Sequence, residues 1–306
     1  MHVLIPYAIS DEDAARAALQ GVALPQLQNL LGRMNRQTVV QLPEHHALSA
    51  DEILQARAQG LNDKAPQWAA LRAHALGLPG ATTEVWGFVT PVHWELGQAR
   101  VSLRDPAELD LSADEARTLM YAMRPFFAED GLTLHEDTPQ RWLVSGEPLR
   151  GLICARPERV IGRDVAPWLP SAPLLRRLQN EMQMLLYTHP STDEREARRA
   201  LTVNSFWLSS TGALDALPEP TQTITVLNGL ATPAVRGDWR AWAQAWQALD
   251  AELAPLRSAL DAGEPMTLTL CHELSARRYT PSAESWWGRL RRRWQGTQLT
   301  DHLVIG

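Results

Sequence analysis

The chain has 306 residues, enough for one large α/β domain or two smaller ones. Hydrophobic residues make up 45% and charged residues 21%, a balance that excludes wholesale disorder. The formal net charge of -6 argues against nucleic acid as the default partner, because general polyanion binders are basic.

Val3 to Tyr7 predicts a buried strand, and Asp11 to Gln20 a short helix with acidic residues in its first turn, where the helix dipole favours them. Leu24, Leu27, Leu30, Leu31 and Met34 recur at spacings of three and four, which predicts a second helix over 24–34. The β-branched run Thr38 to Leu42 predicts a strand. Ser49-Ala-Asp-Glu52 and Ser112-Ala-Asp-Glu115 both have capping-box spacing, so a helix should begin at each. Between them, the Trp- and Thr-rich stretch Thr83 to Leu103 predicts two or more strands. Gly131 to His135 and Arg141 to Ser145 predict a strand pair turned by Asp137-Thr-Pro-Gln140. The prolines at 157, 167, 170 and 173 mark a connection returning to the main body. A helix over Leu174–Tyr187 and strands at Val203–Ser209 and Ile224–Leu227 follow. Trp239, Trp242, Trp246, Leu249, Leu253, Leu256 and Leu260 form an apolar seam along one long helix, ended by Gly263. Met266 to Leu270 then predicts a buried strand, and strand, helix and strand in this order suggest a βαβ crossover in a parallel sheet.

The two cysteines, Cys154 and Cys271, lie far apart and outside any CxxC pair. They predict reduced core thiols rather than a disulfide framework or a cysteine-rich zinc site. No run approaches the ~20 apolar residues of a membrane span. The opening apolar residues give way at once to Asp11, Glu12 and Asp13, unlike a signal peptide. A soluble, cytoplasmic protein is therefore expected. No Gly-x-Ser-x-Gly elbow, Gly-x-Gly-x-x-Gly motif or phosphate loop is present. Glu44-His-His46 predicts an exposed loop, since neighbouring side chains on an extended segment point apart.

A series of short matches resembles the archaeal-type cofactor-independent phosphoglycerate mutases. His189, Pro190 and Arg195 fit that family's "His-Pro-x-Asn-x-x-Arg" turn, and Asn204, Trp207, Leu208 and Gly212 its "Asn-x-x-Trp-Leu-Trp-Gly-x-Gly" strand. Leu24-Pro-Gln-Leu-Gln-Asn-Leu-Leu31, Leu111-Ser-Ala-Asp-Glu-Ala-Arg117, Leu132-Thr-Leu-His, Arg141-Trp-Leu-Val144 and Arg156-Pro-Glu-Arg-Val-Ile-Gly162 agree with further parts, in the family's order. The matches span about residues 20 to 212. The shortened layout is similar to that of proteobacterial RpfE-type regulatory proteins. The resemblance implies an alkaline-phosphatase-like, three-layer α/β core with a mainly parallel sheet. Residues 1–82 and 155–306 would form this core, and 83–154 an inserted α+β domain.

Members of that superfamily use a Ser or Thr nucleophile and two divalent metals held by Asp and His. The departures here are large. The "Asp-Gly-x-Gly" turn after the first strand is replaced by Pro6-Tyr-Ala-Ile-Ser10. The resemblance makes Ser49 the counterpart of the nucleophile, although the capping box accounts for Ser49 without chemistry. Asp51, His272 and Glu273 are the candidate metal ligands, for manganese or zinc. Arg141 is the candidate contact to a small anionic ligand.

The departures favour a non-catalytic mutase relative with a regulatory, ligand-binding or partner-binding role and no cofactor. The alternative is an active metal-dependent phosphomutase or phosphatase with rearranged ligands. A third reading is an adaptor for RNA or anionic surfaces through Trp286, Trp287 and Trp294 among Arg289, Arg291, Arg292 and Arg293.

Overall fold

A computed structural model describes residues 1–282 and 298–305. The chain forms two compact units, Met1–Gln59 with Pro220–Gly306, and Gly60–Glu219. In chain order the first unit opens with β1 (His2–Ile5), α1 (Asp13–Ala18), α2 (Pro25–Leu31), β2 (Met34–Gln41) and α3 (Ala50–Gln59). The second unit holds α4 (Trp68–Ala75), β3 (Val85–Val92), β4 (Trp94–Leu96), β5 (Val101–Leu103), α5 (Ala113–Glu129), β6 (Thr133–Thr138), β7 (Arg141–Ser145), α6 (Pro173–Tyr187), α7 (Pro190–Ala197) and β8 (Ser205–Ala213). The chain returns to the first unit with β9 (Thr225–Val226), α8 (Ala231–Val235), α9 (Trp239–Glu252), α10 (Ala254–Asp261), β10 (Thr267–Cys271), β11 (Ser275–Pro281) and α11 (Thr300–Leu303).

The sheet of the first unit has five strands in the order β2-β11-β10-β1-β9. β9, β1 and β10 pair in parallel, whereas β11 is antiparallel to both β10 and β2. Four strands therefore point one way and only β11 the other. Alternation along the strands sends side chains to opposite faces. Val3, Ile5, Leu268 and Leu270 join one core with residues of α1, α2, α9 and α10. Leu4, Cys271 and Ala276 join a second core with Ile53 and Leu54 of α3. The unit is thus a three-layer α/β structure, and each fully buried leucine stabilises it by roughly 1.5–3 kcal/mol.

The apolar seam does cover this sheet. Trp242, Trp246, Leu249, Leu253, Leu256 and Leu260 are all buried in the first core. It runs over two helices rather than one, divided at Leu253. Pro255 is the physical reason, because it has no N–H for the carbonyl four residues back and its ring clashes there. The second helix is also shorter than its periodicity suggested: α2 ends at Leu31, and Met34 starts β2.

The second unit is built on an antiparallel sheet in the order β6-β7-β3-β8. On one face α5 and α6 bring Met120, Met123, Phe127, Leu178 and Met182 against Val89, Trp142, Val144 and Phe206. α5 begins at the Ser112 capping box, with both reciprocal hydrogen bonds present. This unit is larger than the expected 83–154 insertion. The segment 155–219, expected in the core domain, lies in the second unit, because β8 forms a long antiparallel ladder with β3. Five of the 12 tryptophans, Trp86, Trp142, Trp207, Trp242 and Trp246, have fully buried side chains. Trp86, Trp207 and Trp242 donate their indole N–H to the carbonyls of Gly80, Ala155 and Tyr7, which offsets the cost of burying a polar atom.

Candidate functional site

The ends of β1 and β10 lie side by side at one edge of the five-stranded sheet, the carboxyl edge where open α/β sheets collect ligands. Ile9 N–H donates to Cys271 O at 3.1 Å, and Ala50 N–H donates to Glu273 O at 2.9 Å. The start of α3 is thereby tied to the turn after β10. Ser49 and Asp51 are brought together with Cys271, His272 and Glu273, as the candidate set requires.

The detailed geometry differs from an open catalytic site. Ser49 is fully buried, and its Oγ donates to Asp51 Oδ1 at 2.6 Å. Asp51 is buried too, and its Oδ2 accepts from Gln55 Nε2 at 3.1 Å. Both carboxylate oxygens of Asp51 thus accept a local hydrogen bond. Burial, followed by the nearby charge of Asp51, pushes the Cys271 thiol well above its ordinary pKa, so it stays protonated at neutral pH and is a poor nucleophile.

His272 Nδ1 accepts the backbone N–H of Leu274 at 3.1 Å, which leaves the proton on Nε2. Nε2 faces Asp11 Oδ1 at 3.5 Å. Ligation of a metal through Nε2 would need the other tautomer and the loss of the Leu274 bond. Among the described residues no three His, Cys, Asp or Glu side chains are grouped so as to hold a metal ion. The donor set therefore does not fit the two divalent metals that the resemblance implies.

Arg141, the anion candidate, opens β7 in the second unit. Its Nε and Nη2 donate to Asp137 Oδ2 at 3.2 and 2.8 Å, and its guanidinium lies over the Phe88 ring, 4.1 Å from the centroid. Arg72 of α4 holds the other oxygen, Oδ1, through Nε and Nη2 at 2.8 and 2.6 Å. Burial alone would raise the pKa of Asp137, but hydrogen bonds from Arg72 and Arg141 outweigh it and hold the carboxyl below its ordinary value. Two guanidiniums on one carboxylate leave one net positive charge. Arg72 and Asp137 did not stand out in the sequence. The i,i+4 spacing of Asp137 and Arg141 was the available sign.

The residues that carry the resemblance have architectural roles. His189 caps α7, its Nδ1 accepting from Ser191 N–H at 3.2 Å, and Pro190 follows at the first helical position. Arg195 is 2% exposed, donates to Leu201 O at 2.7 Å and to Glu115 Oε1 at 2.7 Å, and also bonds Leu109 O. Asn204 bonds both backbone groups of Trp94, at 2.7 and 2.9 Å. A Cβ on Gly212 would meet Gln67 Cγ at 2.6 Å.

Cys154 and Cys271 are both free and buried. No helix among the described residues is long and apolar enough to cross a membrane. The Trp286–Trp294 segment with its arginines lies outside the described residues.

No family model matches the chain, and no curated protein matches it. Solved structures similar to it include the following two. One is a cofactor-independent phosphoglycerate mutase from Thermoplasma acidophilum, 14% identical, covering 92% of this chain and 89% of that chain with a TM-score of 0.36. The other is the PH0037 protein from Pyrococcus horikoshii, 11% identical, covering 92% of this chain and 87% of that chain with a TM-score of 0.46.

Proposed function

We propose that this chain is a phosphoglycerate-mutase-like protein without phosphoryl-transfer activity, retained for a regulatory role that works by binding a small anionic ligand or a protein partner. The observation that carries this reading is the buried Ser49–Asp51 hydrogen bond of 2.6 Å. The counterpart of the nucleophile and the nearest candidate metal ligand bind each other. A nucleophilic serine needs an open approach and a base or metal to take its proton, and metals would have to offset the charge of a transferring phosphoryl group. The tautomer of His272 and the architectural roles of His189, Arg195, Asn204 and Gly212 support the same reading. Arg141, paired with Arg72 around Asp137, is the residue assigned to an anionic ligand, because a guanidinium edge matches a carboxylate or phosphate.

The test is the metal content of protein purified without chelator and dialysed against manganese and zinc, with turnover of 3-phosphoglycerate measured on the same sample. The expected result is no stoichiometric metal and no turnover. About two bound equivalents, with turnover lost in Ser49→Ala, would overturn the proposal in favour of an active phosphomutase or phosphatase with rearranged ligands.

A further inference from the structure

A second cluster of charge lies in the first unit, on the strand pair β2–β11 and α11. The register of β2 and β11 sets Arg36 opposite Tyr279, and Thr38 opposite Arg277. Arg277 and Tyr279 are two residues apart on one strand, so all three of Arg36, Arg277 and Tyr279 share one face of this strand pair. The helix α11 supplies the rest. Arg36 Nη1 donates to Asp301 O at 3.1 Å. Arg277 Nη1 donates to the same carbonyl at 3.3 Å and to His302 O at 3.0 Å. Tyr279 Oη and His302 Nδ1 are 3.0 Å apart.

The charge here is only partly balanced, with two guanidiniums against the Asp301 carboxylate. Elsewhere exposed arginines meet carboxylates, as Arg33 meets Asp261, Arg104 meets Glu108 and Arg177 meets Asp130. Arg36 and Arg277 share a backbone carbonyl instead, and among the described residues neither is ion-paired to a carboxylate. A carbonyl accepts a hydrogen bond but does not neutralise a cation. Burial pushes the Tyr279 hydroxyl up to about 12 despite the nearby guanidiniums, so it remains a donor. Burial, followed by the charge of Arg36, lowers the pKa of His302 against the opposing charge of the Asp301 carboxylate, which offsets part of the positive charge here. In a chain of net charge -6, the two guanidiniums form a locally positive patch, with the buried Tyr279 hydroxyl bonded to His302 beneath them.

We infer that Arg36 and Arg277, with Tyr279 and His302 beside them, form a binding site for a dianionic oxyanion of the phosphate-monoester class. Two guanidinium forks suit such a group, because each can donate in parallel to two of its oxygens and two positive charges balance two negative ones. The site does not depend on the proposed function and involves none of the residues on which that reading rests.

The experiment is calorimetric titration of the full chain with inorganic phosphate and glycerol 3-phosphate, and flotation with vesicles of phosphatidylcholine containing phosphatidic acid. The expected result is saturable binding of one equivalent in one of these arms. The arm that binds tells a free phosphate from a lipid headgroup. Arg36→Gln and Arg277→Gln should each weaken binding by at least about tenfold. Arg36→Gln changes an exposed side chain at the edge strand β2, so its far-UV circular dichroism should match the parent, and this variant decides the case if Arg277→Gln fails to fold. Absence of binding in every arm, or binding unchanged in Arg36→Gln, would overturn the inference.

Discussion

The carboxylate of Asp250, in the last turn of α9, accepts the backbone N–H of Leu27 at 2.8 Å through Oδ1. Its Oδ2 accepts Gln26 N–H at 3.1 Å. The start of α2 has no side-chain cap of its own, since Leu24 occupies that position. Asp250 supplies the cap from another helix, and its charge sits at the positive end of the α2 dipole. Asp250→Ala should therefore destabilise the first unit by about 2–4 kcal/mol, since it leaves two donors without an acceptor. Urea unfolding followed by tryptophan fluorescence would measure this. A loss below about 1 kcal/mol would show that water replaces the carboxylate.

Glu115 links acid stability to the second unit. Burial alone would raise its pKa. Hydrogen bonds from Ser112, Arg195 and Arg198 outweigh burial and hold it at about 2, against an ordinary value of 4.5. A depressed carboxylate contributes stability that is fully present above its unfolded pKa and lost as pH falls through the folded one. Stability should therefore decline between pH 4.5 and about 2. Glu115→Gln should flatten that decline and cost about 2 kcal/mol at neutral pH, because it replaces charge-assisted hydrogen bonds with neutral ones. Unfolding midpoints of both proteins across this pH range would test it. An equally steep decline in the variant would assign the acid sensitivity to other groups.

Arg141 and Arg72 share Asp137, so their effects should be coupled. If Arg141 contacts an anionic ligand as proposed, Arg141→Ala should weaken that binding about tenfold or more. Asp137→Asn should tighten it, because both guanidiniums lose their shared counter-ion. The same change should cost about 2 kcal/mol of stability, near the low end for breaking a buried pair because both arginines are partly exposed. Titration of 3-phosphoglycerate into the three proteins is the measurement. Binding that is unchanged in Arg141→Ala would remove the assignment.

Much of the local structure was legible because its causes are local. The Ser112 box, the helix over Leu174–Tyr187 and the strand pair turned at 137–140 depend on neighbouring residues, and all of them form. The seam from Trp239 to Leu260 was legible as a covering face but not as two helices, since hydrophobic spacing continues across Pro255 while the backbone hydrogen bonds do not. The place of β8 was not legible, because a ladder with β3 joins residues over a hundred positions apart and leaves no periodic trace in either. The same holds for Asp250 and Leu27, separated by 223 positions. A buried aspartate on an apolar helix face was the sole signal. At the candidate site, the sequence reading named Ser49, Asp51, His272 and Glu273, which the contacts between α3 and the turn after β10 set near one another. It could not show that Ser49 and Asp51 bind each other or which nitrogen of His272 carries the proton.

Gly263 illustrates a feature read from sequence that can be tested in isolation. It has φ +72° and follows the last turn of α10. Its N–H donates to Leu260 O at 3.2 Å, and Glu264 N–H donates to Ala259 O at 2.9 Å, the paired bonds of a Schellman motif. A Cβ at this position would meet nothing within 4 Å. The cost of a side chain is therefore conformational alone. Gly263→Ala should destabilise the protein by about 1 kcal/mol, and Gly263→Asn by less, since Asn tolerates the left-handed region. Denaturation midpoints with an unchanged m-value would establish both. The turn delivers the chain to β10, which carries Cys271 and leads into His272 and Glu273. An alanine variant as stable as the parent would mean that α10 ends differently in solution, and that the start of β10 is not set by this turn.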